Sequence, residues 1–243
     1  MTALLEGEGL TKRFGGIAAL DSCSISVAEG TITALIGPNG SGKTTLFNLV
    51  TGYLPADSGS IAFAGRSIRR PHPASLYRMG LCRTFQQARV FSNLTVIENM
   101  AAAILQPWGS LLRSRVGPSD RIRALEVLDD FGLTRLADAP AGTLSFGQRK
   151  LLEFATVLMG RPRIILLDEP TSGVNPVMIE IMERHIRELH AQGLTFLLVE
   201  HDMHVVMRLC DPVIVLDHGA KIAEGAPAAV QSDPTVLDAY LGT

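Results

Sequence analysis

The chain has 243 residues, 47% of them hydrophobic, 19% charged and 5% aromatic, with 22 Lys and Arg against 24 Asp and Glu for a net charge of -2. That composition can bury a core, which excludes a disordered chain, and the balanced charge gives no general pull toward nucleic acid or anionic lipid. No segment approaches the ~20 consecutive apolar residues that cross a bilayer, and the three cysteines, Cys23, Cys82 and Cys210, are odd in number and lack a C-x-x-C pair, so free thiols in a reducing compartment are expected.

Met1–Leu10 has no basic stretch and no long apolar run, so no secretory signal is expected there. Strands are predicted first: Ile25 and Val27 alternate with polar neighbours, Glu29-Gly30 turns, and Ile32, Ala34 and Ile36 alternate again. A glycine-rich loop, Gly37 to Gly42, follows. Leu46, Leu49, Val50 and Tyr53 then recur at helical spacing, with Pro55 closing the helix. Gly59 to Phe63 reads as another strand. The basic cluster Arg66, Arg69, Arg70 and Arg78 reads as a solvated loop.

Residues 95–131 carry helical periodicity, interrupted by a loop from Pro107 to Pro118. Ser119 or Asp120 is the expected cap of the next helix, with Ile122, Leu125, Leu128 and Phe131 on its apolar side and Gly132 at its end. Three apolar strands follow, at Ile164–Leu167, Thr195–Val199 and Val213–Leu216, each suited to burial on both faces. Between the first two, Asn175-Pro176 opens a helix bearing Met178, Ile181, Met182, Ile186 and Leu189, and Gly193 ends it. Asp217-His218-Gly219 is a hairpin turn. Strand–helix alternation predicts a mostly parallel, covered sheet.

The chemistry starts at Gly37-Pro38-Asn39-Gly40-Ser41-Gly42-Lys43-Thr44, which satisfies G-x-x-x-x-G-K-[ST] between a strand and a helix. Glycines let successive N–H groups curl toward phosphate oxygens, and the helix N-terminus, including Thr45, faces the same anion. Lys43 supplies charge to the β- and γ-phosphates and Thr44 a hydroxyl to Mg²⁺. Its partner is Ile164-Ile165-Leu166-Leu167-Asp168-Glu169-Pro170, a buried strand ending in carboxylates at the mouth of the sheet. Asp168 is expected to hold the Mg²⁺ shell and Glu169 to polarise the attacking water, with Pro170 biasing Glu169 toward an extended backbone.

Leu144-Ser145-Phe146-Gly147-Gln148 resembles the LSGGQ signature of the ATP-binding cassette (ABC) ATPases, with Phe146 in place of the first glycine. Its helix is amphipathic through Leu151, Phe154, Ala155, Leu158 and Met159. The resemblance covers essentially the whole chain. It implies that Ser145, Gly147 and Gln148 face the γ-phosphate held by a second subunit. It implies that Gln86, in Arg83-Thr84-Phe85-Gln86, is a Q-loop glutamine that links the metal site to a membrane subunit. Ser172-Gly173-Val174-Asn175 resembles the D-loop, with Asn175 where Asp is common. His201 matches the switch histidine, and Phe14 the aromatic that stacks on adenine.

The expected fold class is α/β: a P-loop NTPase (RecA-like) core of mostly parallel sheet, an N-terminal antiparallel β region and an inserted helical subdomain. One domain is expected over 1–243, with the insertion at roughly 88–148 and a short tail at 226–243. The resemblance further implies ATP and Mg²⁺ as ligands, transmembrane permease subunits as partners, and a homodimer or a heterodimer with a sister ATPase. It implies indirect work with a solute-binding protein, no nucleic acid, and a place on the cytoplasmic face of the inner membrane.

Within the family, RFGGI-AL, IGPNGSGKTT, RTFQ, TVIENM, SGVNP and VEHDM resemble the ATPases of branched-chain amino-acid uptake systems, whose style is shared by other amino-acid, urea and short-amide systems. Three other readings compete: a soluble P-loop kinase, which lacks a Ser145–Gln148 element; a non-transport ABC protein, which usually has two cassettes or a long coiled coil; and the ATPase of a lipid or lipopolysaccharide exporter. His201 and His204 on one predicted helix lack further ligands for zinc.

Overall fold

The computed structural model describes residues 2–104 and 117–241. The chain opens with two long antiparallel strands, β1 (Ala3–Phe14) and β2 (Ile17–Ala28), and then enters a central strand, β3 (Ile32–Ile36). The phosphate-loop motif leads into α1 (Lys43–Val50). The pair β4 (Ser58–Phe63) and β5 (Arg66–Ser67) completes a four-stranded antiparallel sheet of order β2-β1-β4-β5. After α2 (Pro73–Arg78) and β6 (Leu81–Arg83), the chain leaves the sheet for α3 (Val96–Ala102), α4 (Pro118–Asp130) and α5 (Phe146–Leu158). It returns as β7 (Ile164–Asp168), α6 (Pro176–Ala191), β8 (Thr195–Val199), α7 (Met203–Leu209), β9 (Val213–Asp217) and β10 (Ala220–Gly225), and closes with α8 (Pro227–Gln231) and α9 (Pro234–Leu241).

The second sheet has the order β10-β9-β3-β8-β7-β6, parallel throughout except for the β9–β10 hairpin. Its alternating side chains feed two cores. Leu35, Leu166, Leu197, Ile214 and Leu216 point to one face, against α1 and the antiparallel sheet. Ala34, Ile165, Leu167, Phe196, Leu198 and Val215 point to the other, against α3 to α6. Burial on both faces explains the apolar strands. The helical insertion does not have a separate interior: Val96, Met100, Leu128 and Leu152 belong to the same cluster as the sheet residues.

Several local expectations change. β3 is buried at all five positions, Thr33 included, so its alternation is not an in-and-out pattern. The first helix ends at Val50, and Tyr53 lies in the turn beyond it, because Thr51 and Gly52 already close the last turn. Gly117, not Ser119 or Asp120, precedes α4, with Pro118 at its first turn, and Ile122 is 60% exposed while Ala124 and Leu128 are buried. β1 and β2 form the expected N-terminal antiparallel region, whereas α2 and β6 were not predicted; β6 is a short edge strand without a period to read. The tail forms helices. Most of the predicted Pro107 to Pro118 loop lies outside the described residues. The predicted helix start at Asn175 forms with its side chain as the cap, and Ser145 caps the next helix upstream, a local role not predicted for it. Arg66, Arg69, Arg70 and Arg78 are exposed as expected, but not all in a loop: Arg66 lies in β5 and Arg78 ends α2.

Candidate functional site at the carboxyl edge of the parallel sheet

The loop after β3 is shaped by its glycines. Gly37 has φ +147, and a Cβ there would lie 2.0 Å from the Leu216 carbonyl oxygen. Gly42 has φ +103, and its Cβ would meet the Ala19 carbonyl oxygen at 2.5 Å. Only glycine tolerates both the backbone and the neighbours. Gly219 N–H donates to the Ser41 carbonyl at 3.1 Å, tying the loop to the β9–β10 turn. No side chain caps α1, so its first-turn N–H groups remain directed into the loop.

Lys43 is buried and its Nζ donates to the Gly37 and Pro38 carbonyls, at 2.7 and 2.8 Å, and contacts Ser41 Oγ at 3.3 Å. Burial lowers its pKa, and the charge of Glu169 works against that shift. A pocket of about 190 Å³ lies here, lined by Ala19, Asn39, Gly40, Ser41, Gly42, Lys43, Thr44, Thr45, Glu169 and His201. Gly37 and Pro38 do not line it and reach it only through their carbonyl bonds to Lys43. Phe14, at the end of β1, is 49% exposed, so its ring is not a core side chain.

The strand β7 delivers the two carboxylates to different neighbours. Asp168 Oδ2 is 2.7 Å from Arg83 Nη2, and both side chains are buried. The same guanidinium donates to Asn48 Oδ1 at 2.7 Å and lies near the rings of Phe47, Tyr53 and Phe85. Glu169 faces the other way. His201 Nε2 is 2.7 Å from its Oε1, and Gln86 Nε2 donates to its Oε2 at 2.8 Å. Sequence-distant Gln86, Glu169 and His201 thus meet on one carboxylate.

Two expectations about this cluster need correction. Glu169 is not extended: its φ is +47, in the left-handed region. Its N–H donates to the Val199 carbonyl, and its own carbonyl accepts from Lys150 Nζ at 2.8 Å and from the Ser172 N–H at 3.2 Å. Those bonds outweigh the bias from Pro170. His201 precedes α7, which Asp202 caps, so it does not share a helix face with His204.

Four polar residues around the cluster escaped the sequence reading. Arg83 pairs with Asp168. Lys150 holds the Glu169 carbonyl. Glu153 Oε1 accepts from the N–H groups of Phe85 and Arg89 at 3.1 and 3.3 Å. Glu200 accepts from the Thr171 N–H and hydroxyl and from the His201 N–H. Burial pushes the Glu153 carboxyl up to about 7 against the pull of the Arg89 and Phe85 amides. Burial likewise raises Glu200, opposed by its bonds to Thr171, and lowers Lys150, opposed first by Glu153. For Lys150 and Glu153 the hint in sequence was charge on the apolar side of α5, and Arg83 and Glu200 stood within the RTFQ and VEHDM runs without a role of their own.

Ser145 caps α5 from the surface. Its Oγ accepts from the Gln148 N–H at 3.3 Å, and Gln148 Oε1 accepts from the Ser145 N–H at 2.9 Å, a reciprocal capping box. Phe146 is 42% exposed beside Gly173, and Gly147 packs against Met178. None of Ser145, Gly147 and Gln148 lines the pocket at Lys43.

A family profile described as ABC transporter matches residues 20–172. The chain belongs to the ABC transporter family. A second profile, described as branched-chain amino acid ATP-binding cassette transporter, matches residues 220–243. As an ABC ATPase the chain binds and hydrolyses ATP. It is 40% identical to a probable branched-chain amino acid transport ATP-binding protein, LivG, of Methanocaldococcus jannaschii, over 98% of this chain and 97% of the relative. It is 37% identical to the high-affinity branched-chain amino acid transport ATP-binding protein BraF of Pseudomonas aeruginosa, over 98% of each. Its structure resembles a nucleotide-free ATP-binding cassette from an ABC transporter, with a TM-score of 0.90 at 38% identity and full coverage of both chains. It also resembles a dimeric post-hydrolysis cassette bound to ADP and Pi, with a TM-score of 0.79 at 26% identity over 92% of this chain and 98% of that one. Among the described residues no helix is long and apolar enough to cross a membrane.

Thr44, Gln86 and Asp168 line a second pocket beside the first, of about 520 Å³. Their donors are all oxygens of hydroxyl, amide or carboxylate, the hard set that suits Mg²⁺ held partly by substrate phosphates. The residues therefore fit that ion.

Proposed function

We propose that this chain is the ATP-hydrolysing subunit of a membrane importer for branched-chain amino acids or a related amino acid, amide or urea, working as a homodimer or with a sister ATPase on the cytoplasmic face of the membrane. The observation that carries the hydrolytic part is the Glu169 carboxylate, held between Gln86 and His201 at the wall of the Lys43 pocket. The uptake part is supported by the names of relatives that align over nearly the whole chain and by the match of the tail.

In this reading Gly37, Pro38, Asn39, Gly40, Ser41, Gly42, Thr44 and Thr45 cradle the phosphates, and Lys43 exchanges its carbonyl partners for β- and γ-phosphate oxygens. Phe14 stacks on adenine. Thr44, Asp168 and Gln86 hold Mg²⁺, which when bound neutralises charge on the β- and γ-phosphates. Glu169 orients water for in-line attack on the γ-phosphorus and takes its proton. ADP leaves with the electron pair of the breaking P–O bond. His201 keeps Glu169 aimed and contacts the γ-phosphate. Ser145, Gly147 and Gln148 of a second copy complete the site from outside, because none of the three lines the Lys43 pocket of its own chain.

Closing such a dimer from about 1:99 to 99:1 takes ~5.5 kcal/mol of differential binding, which two interfacial triphosphates with charge-assisted hydrogen bonds can supply. Hydrolysis removes the bridging phosphate, and Gln86 with the helices α3 to α5 passes the motion to permease subunits. The test is co-purification from membranes. Recovery with permease subunits, and ATP-dependent uptake of leucine, isoleucine or valine by vesicles holding that complex, supports the reading. Recovery with subunits that extract lipid overturns uptake, and ATP turnover that requires a small-molecule phosphate acceptor overturns the transport reading.

A further inference from the structure

Helix α5 runs from the exposed tip at Ser145 into the interior, and on the way it buries two charges. Lys150 is 3% exposed and Glu153 7%. Residues at this spacing share a helix face. Burying an ion costs several kcal/mol unless partners compensate, so their contacts explain the positions better than their volume does.

Lys150 Nζ donates to the Glu169 carbonyl at 2.8 Å. That residue sits at φ +47, a left-handed backbone that is unfavourable for a non-glycine residue unless something holds it. Glu153 Oε1 takes the N–H groups of Phe85 and Arg89, which bracket Gln86. One turn of α5 thus grips, through the backbone, both partners of a single bond, Gln86 Nε2 to Glu169 Oε2 at 2.8 Å. After the two amides, Lys150 is the first charge that works against the upward push of burial at Glu153, and burial still prevails.

We propose that Lys150 and Glu153 are positioning residues: together they hold the Glu169 backbone and the Gln86 loop in register with the Ser145 tip, so that a second copy docking on the tip is felt at the hydrolytic carboxylate. This rests on the roles given above to Glu169, Gln86 and Ser145. The function needs an acceptor oxygen at 153 and a donor at 150, not merely filled space.

The experiment compares Lys150→Met, Glu153→Met and Glu153→Gln with the wild-type full chain, measuring kcat, KM for MgATP, nucleotide-binding stoichiometry and amide exchange over residues 84–90. Losing a buried bond to a charged group is worth ~1.5–3 kcal/mol, so each Met variant is expected to lose about tenfold or more in kcat. KM and binding stoichiometry should stay within about threefold, because the P-loop is untouched. Glu153→Met should speed exchange of the Phe85 and Arg89 amides. Glu153→Gln, which keeps an oxygen in place, should recover most of the lost kcat and the protection.

Met variants with wild-type kcat, or a Gln variant no better than Met, overturn the proposal. If a Met variant does not fold, Glu153→Gln against Glu153→Asp decides: Gln reaches the amides and Asp does not, so equal rates and equal exchange overturn it. Glu169→Gln in the same assay separates the two levels. If it turns over normally, the reading of the site fails; if it is inactive while Lys150→Met is normal, only the positioning role fails.

Discussion

Two helix N-termini face solvent at functional positions in this molecule, and they are finished differently. At α1 no side chain caps the helix, Gly42 precedes it in a left-handed conformation, and Lys43 folds back over the loop. At α5 the first turn is closed by its own Ser145–Gln148 capping box, and Phe146 stands exposed beside it. The first end leaves N–H groups, a cation and a carboxylate converging on one pocket. The second is satisfied locally by its capping box and does not line that pocket. A group of donors that is stable alone yet aimed outward is suited to meeting a ligand held elsewhere, which is how the proposed dimer uses it.

The strongest way to break this comparison is at the carboxylate. Glu169→Gln should cut hydrolysis by about 10²–10⁴-fold, the range for a lost general base, while equilibrium ATP binding persists; phosphate release and nucleotide binding measure the two. Lys43→Ala comes next. It should weaken ATP binding by roughly 10²-fold, since charge-assisted bonds are worth ~1.5–3 kcal/mol each, as titration with a fluorescent nucleotide will read.

The third prediction concerns the other end. In a Glu169→Gln background ATP should drive dimerisation, detectable by light scattering. Adding Ser145→Arg should abolish the dimer while ATP affinity of the single chain stays within about threefold, because an unpaired charge at a buried contact is costly. A Ser145→Arg chain that still dimerises, or that loses its own ATP affinity, would erase the distinction between the two ends. The smallest effect is at Ile122, exposed on α4 rather than packed. Ile122→Ala should shift unfolding free energy by less than ~0.5 kcal/mol in a denaturant melt, whereas a residue in the predicted apolar stripe would have cost ~2–5 kcal/mol.

Much of the fold was legible because it is written in short periods. The strands β7, β8 and β9 appeared as apolar runs, and Asn175 and Gly132 marked helix ends where the structure has them. Ile122 misled because a helix with few buried positions, here Ala124 and Leu128, leaves its apolar side ambiguous. The strand β6 was missed because three residues carry no pattern, although it sets where the Gln86 loop begins.

The sequence by itself determined the pieces whose chemistry depends on near neighbours: the phosphate loop from Gly37 to Thr44, the Asp168-Glu169 pair at a strand end, and the signature-like run from Leu144 to Gln148. Only the tertiary structure decided how those pieces are held. Arg83 on Asp168, Lys150 on the Glu169 carbonyl, Glu153 on the Gln86 loop and Glu200 on Thr171 all join residues far apart along the chain. A lysine or glutamate on a helix reads the same in sequence whether it faces water or a backbone carbonyl, because the desolvation and pairing that distinguish the two cases arise only when separate elements pack.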